Sequence, residues 1–264
     1  MIRFSLPRVA ALAVTLFIGG CSSVPSPVVR ISFDNADPAT WENSGALSPG
    51  ELPSRIGDAD GLQVTVSPGV AGGAFDGRKL ISKKPGNVPV WGTDAKGKLD
   101  TEIETLFDGA EAFTVTAWIK TDFLQPQGRL LKTPAFQINC RGDRLEIGFS
   151  KPRKWFPSEV SEERFGSVGK WRFVAIVWEA DGLVCYYSGT RTVPVDVAGS
   201  VNTDWPVLAG NETGCWLTIG NSEADGNRPF IGLIDELCMW NQSLNIEQLE
   251  MIRCRVLTGA GEGK

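Results

Sequence analysis

Asp100, Glu102 and Glu104 stand at alternate positions in the chain. On a strand, alternate residues share a face and lie about 6.8 Å apart, so three carboxylates would line one surface. Two carboxylates at roughly that separation can cut a glycosidic bond, one as acid and one as nucleophile or base. The solvated face of an ordinary strand has the same composition. A second acidic pair, Asp235-Glu236, lies inside the apolar run 230–240. A carboxylate there is costly unless it is hydrogen-bonded, paired or metal-bound. A third group, Lys151 to Phe156 (KPRKWF), sets three cations beside two aromatic rings. Arg153, Trp155 and Phe156 could hold a sugar or an anionic glycan there, or the two rings could fold over a sheet edge.

The chain has no histidine. This excludes Ser-His-Asp and Cys-His nucleophile activation and every histidine-containing zinc site. Catalysis would have to use carboxylates, lysine, tyrosine or cysteine. A bound metal would be an oxygen-ligated hard cation, with calcium the natural candidate. Asp58-Ala59-Asp60-Gly61 is half of a calcium loop without the later ligands, and reads as a turn. Arg141-Gly142-Asp143 is an adhesion tripeptide in letters, placed where a turn needs Gly and Asp anyway. The net charge of −5 gives no basic face for nucleic acid.

The elements that must position these groups are mostly strands. Runs such as 28–34 (VVRISFD), 62–67 (LQVTVS), 112–120 (AFTVTAWIK), 144–149 (RLEIGF), 171–179 (WRFVAIVWE) and 183–188 (LVCYYS) are rich in β-branched and aromatic residues. Gly/Asp/Asn turns separate them, which indicates an all-β antiparallel sandwich. The exception is 245–253, where Ile246, Leu249, Met251 and Ile252 fall mostly on one side of a helix. Asn245 and Gln248 have the spacing of a capping box.

Residues 1–20 read as an export leader: Arg3 and Arg8 precede a ten-residue apolar run, 9–18, too short to span as a resident helix. Gly19-Gly20-Cys21-Ser22 resembles the lipobox of bacterial lipoproteins. That resemblance implies cleavage before Cys21 and a lipid on its thiol, so that the membrane becomes a partner. Outer-membrane anchoring is the expectation in a two-membrane cell. Residues 21–27 would be an extended tether lifting the domain off the bilayer, 28–256 the domain and 257–264 a flexible tail. The remaining cysteines, Cys140, Cys185, Cys215, Cys238 and Cys254, form no CxxC pair. In an exported protein they suggest two disulfides and one free thiol, with buried free thiols as the alternative.

Four stretches together resemble the laminin-G-like, concanavalin-A-like jelly-roll domains of bacterial surface proteins: AGGAFDGRKL (71–80), FTVTAWIKTD (113–122), KWRFVAIVWEADGLVCYYSG (170–189) and the closing strand and helix, 229–249. The resemblance covers about 28–255 and implies a two-sheet jelly roll with a short C-terminal helix. It implies one inner core containing Trp118, Phe173, Ala175, Val177, Leu237 and Met239. It also implies a structural calcium ion between Asp34 and Asp235, unless Asp235 caps backbone amides or pairs with an arginine such as Arg30. Glucanases of this fold carry a Glu-x-Asp-x-Glu strand. The Asp-x-Glu-x-Glu at Asp100, Glu102 and Glu104 departs from it at the nucleophile position, so hydrolysis is the least favoured reading. The expectation is a non-catalytic binding domain taking a glycan or an envelope protein through its loops, with a structural assembly subunit as the alternative.

Overall fold

A computed structural model of the chain describes residues 23–35, 44–45, 55–56, 67–78, 89–91, 110–133, 135–142, 144–149, 154–157, 168–203, 217–221 and 228–259. In chain order the strands are β1 (Val29–Ile31), β2 (Arg55–Ile56), β3 (Ser67–Pro68), β4 (Gly73–Asp76), β5 (Pro89–Trp91), β6 (Ala112–Thr121), β7 (Gln125–Lys132) and β8 (Phe136–Gly142). They continue as β9 (Arg144–Phe149), β10 (Lys154–Pro157), β11 (Arg172–Glu179), β12 (Leu183–Thr190), β13 (Asp196–Asn202), β14 (Leu217–Ile219) and β15 (Gly232–Trp240). One helix, α1 (Ile246–Thr258), follows.

The strands form two antiparallel sheets, as the turn-rich alternation predicts. The first runs β13-β12-β11-β6-β15-β4-β3, with β1 also paired to β15. The second runs β10-β9-β8-β7-β14-β5-β2. β7, β8 and β9 form a meander. β11 and β12 form a hairpin turned at Asp181, whose carboxylate accepts from the Leu183 amide at 2.9 Å.

Strand alternation sorts side chains between two faces of the first sheet. Phe113, Val115, Ala117 and Ile119 of β6 join Val174, Ile176 and Trp178 of β11 in the core between the sheets. Phe113 stacks on Phe136 of the second sheet at 4.3 Å between ring centres, and on Trp178 at 5.6 Å. The expectation of a single inner core is corrected here. Leu237 and Met239 belong to this core, but Trp118, Phe173, Ala175 and Val177 point the other way. They form a second cluster on the outer face, with Cys238, Trp240, Leu244, Leu249 and Ile252. The physical reason is the phase of the alternation. The sheet is apolar on both faces because α1 covers one of them.

The capping box predicted at Asn245 is present: its side chain accepts from the Gln248 amide at 2.9 Å, and the Gln248 side chain accepts from the Asn245 amide at 3.0 Å. The helix extends past the predicted Arg253 to Thr258, into the expected tail, and ends on Gly259 in the left-handed conformation. Glu250 and Arg253 clamp it to the sheet. Glu250 accepts from Arg253 at 2.6 Å and from the Val195 amide at 2.8 Å. Arg253 donates to the Thr190 carbonyl at 2.6 Å. The Arg253 bond holds the Glu250 carboxyl down at about 2.

Two further expectations change. Cys140, Cys185, Cys238 and Cys254 are free thiols, so the two predicted disulfides do not form among the described residues; Cys215 lies outside them. Cys140 is in the core between the sheets, whereas Cys238 is in the outer cluster. The part of the tether that is described, from Ser23, does not lift away. It lies on the outer face, with the Ser23 carbonyl accepting from Gln248 at 3.3 Å and the Pro25 carbonyl from Trp240 Nε1 at 3.0 Å.

Candidate functional site

Asp235 is fully buried. The pairing of β15 with β6 slips between Asp235, opposite Trp118, and Cys238, opposite Thr116, so that Glu236 and Leu237 together oppose the single residue Ala117. This is a β-bulge, and Glu236 inside it has a positive φ of 47°. The extra residue shifts the alternation by one. Ile234, Leu237 and Met239 therefore all face the core between the sheets. Asp235 and Glu236 are aimed elsewhere.

The Asp235 carboxylate serves the β3–β4 hairpin. One oxygen accepts from the amides of Val70 (2.7 Å) and Ala71 (3.3 Å), and the other from the Glu236 amide (2.8 Å). Asp34 caps the same hairpin, accepting from the Gly73 amide at 2.9 Å. Glycine is required at both corners of this turn. A Cβ on Gly69 would come within 2.5 Å of an Asp235 oxygen, and Gly72, at φ +66°, would meet an Asp34 oxygen. Burial, and then the neighbouring Glu236 charge, push the Asp235 carboxyl up to about 8, against the downward pull of the three amides.

The hairpin also tests the calcium expectation. Asp34 and Asp235 both bond the same hairpin, and the groups at their oxygens are backbone N–H. A cation needs oxygen donors, and N–H groups aimed at the same oxygens compete with it. No cluster of three or more acidic, histidine or cysteine side chains able to hold a metal occurs among the described residues. The donor set therefore does not fit calcium between Asp34 and Asp235, and matches the amide-capping alternative. Arg30 pairs with Glu236 instead of Asp235, at 3.4 Å.

The aromatic loop divides. Lys154–Pro157 forms the edge strand β10, paired to β9. Phe156 is a core residue, correcting its expected place in a ligand site. Its ring packs edge-on against Phe149 at 5.9 Å, and its carbonyl accepts from the Tyr186 hydroxyl at 2.5 Å. Trp155 is half-buried and lies over Gly148, where a Cβ would meet the indole at 2.6 Å. Arg153, the acidic row Asp100, Glu102 and Glu104, and Cys21 lie outside the described residues.

A groove of about 800 Å³ opens on the outer face of the first sheet. Val24, Pro25 and Pro27 of the tether form one wall, the β3–β4 hairpin at Ala71–Gly73 another, and Ile252, Arg255 and Val256 of α1 a third. Trp118, Phe173, Cys238 and Trp240 are the floor, and Arg30, Asp34 and Glu236 bring charge to it. The Trp118 indole N–H is buried without a hydrogen-bond partner among the described residues. Burial pushes the Cys238 thiol up to about 12, so it packs as a neutral group and is no nucleophile. The sequence pointed to several of these residues, Arg30, Asp34, Glu236, Cys238 and Ile252 among them, but in other roles, and to Trp118 and Phe173 as inner core. One signal was available: β11 is apolar at every position from Phe173 to Trp178, as strands covered on both faces are.

Residues 92–250, well over half of the chain, match a laminin G family model described as the concanavalin A-like lectin/glucanases superfamily. Among curated proteins none matches the sequence. Many solved structures share the fold. The binding domain of Paraclostridial Mosquitocidal Protein 1 is 12% identical with a TM-score of 0.59, over 86% of this chain and 52% of that one. The receptor binding domain of botulinum neurotoxin type G is 12% identical with a TM-score of 0.54, over 87% and 51%. The ligand binding domain of botulinum neurotoxin serotype D, solved with N-acetylneuraminic acid, is 14% identical with a TM-score of 0.54, over 86% and 50%. This chain spans about half the length of each.

Proposed function

The chain belongs to the concanavalin A-like lectin/glucanases superfamily, and from that premise we propose that it is a non-catalytic, lipid-anchored binding module of the cell envelope that takes a glycan in the groove beneath α1. The observation that carries the reading is the groove itself. It has an aromatic floor, charged groups at its margins and an indole N–H without an acceptor among the described residues. Glycan sites combine apolar ring surface with a few fixed polar groups in this way. Arg255 is exposed there and suits a carboxylate on the sugar. The fold neighbour solved with N-acetylneuraminic acid supports the class of ligand by analogy.

The buried acids speak for binding over hydrolysis. Asp235 is committed to three amides, Glu236 to Arg30 and Asp76 to Arg78 at 2.5 Å. A glycosidase pair needs carboxylates free to exchange protons with substrate. A protein partner is the second reading. Phe123, Leu124 and Val168 favour it, because all three are exposed apolar residues near one end of β6.

A glycan array probed with the purified protein tests the proposal. The expected result is binding to an acidic glycan, lost in Ala71→Trp, which fills the groove, and retained in Trp155→Ala. The reverse pattern would move the site to the β10 edge. Hydrolysis of a β-glucan that disappears in Glu102→Gln would overturn the non-catalytic reading.

A further inference from the structure

The tether is fixed at three points in six residues. The Ser23 carbonyl accepts from Gln248, the Pro25 carbonyl from Trp240, and the Val28 amide donates to Met239 at 2.8 Å. Val24 packs on the outer cluster. Two peptide steps separate Ser23 from Cys21, a reach of about 7 Å at most. A lipid on Cys21 would therefore enter the bilayer within about that distance of the first turn of α1. One headgroup layer is roughly 5–8 Å thick, the same scale. A free six-residue leash would allow about 20 Å.

We propose that the anchored chain sits on the bilayer in one orientation, with the start of α1 against the headgroups and the tether acting as a strut. The occupant of this surface is the lipid bilayer, and the proposal rests on the lipid-anchor reading given above. The surface chemistry agrees. Ile246, 37% exposed, offers an apolar side chain beside Asn241, Gln242, Ser243 and Asn245, all exposed and able to bond headgroups. Thr114 of β6 ties this end down, accepting from the Leu244 amide at 3.0 Å. The other end of β6 is Thr121, whose carbonyl accepts from the Gly169 amide at 2.8 Å. Seven residues of strand separate the two ends, about 23 Å. Phe123, Leu124 and Val168 are then held away from the membrane. α1 itself runs about 20 Å, so the Arg255–Gly259 end of the groove also points outward, toward a partner arriving from solution.

The test uses the full lipoprotein in phosphatidylethanolamine/phosphatidylglycerol vesicles, in a Cys185→Ser, Cys215→Ser, Cys254→Ser background that keeps the buried Cys140 and Cys238. A nitroxide is placed at Ile246→Cys or at Val168→Cys, and mass spectrometry first reads the lipid on Cys21. The expected result is loss of access to a water-soluble relaxing agent at position 246 only. Trp240→Phe combined with Gln248→Ala, which frees the tether without opening the core, restores that access. Equal aqueous access at both positions in protein shown to carry the lipid would overturn the orientation alone. Absence of the lipid mass would overturn the anchor and the orientation together, leaving the glycan groove to be judged by its own experiment.

Discussion

Phe113, Val115, Ala117 and Ile119 of β6 face the second sheet, while Thr114, Thr116 and Trp118, interleaved with them, face α1 and the tether. The inner face meets another sheet along its whole length and closes over stacked rings. The outer face meets a 13-residue helix, a six-residue tether and a short hairpin, and a groove remains between them. The same strands thus make a dry core on one side and a ligand-sized concavity on the other. The difference lies in what covers each face, because a helix is narrower than a sheet. Stability belongs to the inner face, and the proposed function places binding on the outer.

The sharpest way to break this comparison is at the inner face. Phe113→Ala removes a ring stacked between Phe136 and Trp178 and should cost about 3–5 kcal/mol, read as a lower urea midpoint for the whole domain. Next comes Asp235→Ala, at the seam of the two faces. It leaves the Val70, Ala71 and Glu236 amides without their acceptor and should cost about 3 kcal/mol, read in the same titration.

The pH dependence sharpens the same point. The folded Asp235 carboxyl, at about 8, lies above its unfolded value of 3.8, so between the two the native state binds the extra proton. Its contribution to stability is present in full below the unfolded value and is lost as pH rises through about 8. The melting temperature should therefore fall from pH 7 to pH 9, and the slope should flatten in Asp235→Asn. The smallest effect is expected at the outer layer. Asn245→Ala removes the α1 cap and should cost about 1 kcal/mol. Hydrogen exchange should then rise in α1 and the tether and stay unchanged in β6 and β11. A global increase would mean that the outer layer is part of the core.

Some of this was legible in the residues. β6, β11 and β15 announced themselves by β-branched and aromatic runs, and Asn245 with Gln248 announced the start of α1. The need of Asp235 for a partner was equally plain. The identity of that partner was not. Val70 lies 165 residues away, and an amide donor leaves no trace in side-chain identity. The bulge at Glu236 was hidden too, because Ile-Asp-Glu-Leu reads as plain alternation until its pairing with Trp118 and Thr116 is known. That hidden phase shift is why Trp118 and Leu237, expected in one core, occupy opposite faces. Phe156 looked like a ligand-binding ring because a sequence cannot show that β10 adds to the sheet edge and turns the ring inward.

By itself the sequence determined an antiparallel β sandwich with no histidine chemistry, an apolar run at 9–18 shortly before Cys21 and an acid in need of a partner. These follow from composition and from short-range period, which a chain carries locally. Only the tertiary structure decided that amides satisfy Asp235, that Ser23 and Pro25 are pinned to α1 and β15, and that a groove opens between tether, hairpin and helix. Each of these is a contact between segments far apart in the chain, set by which faces remain to be covered once the sheets have formed.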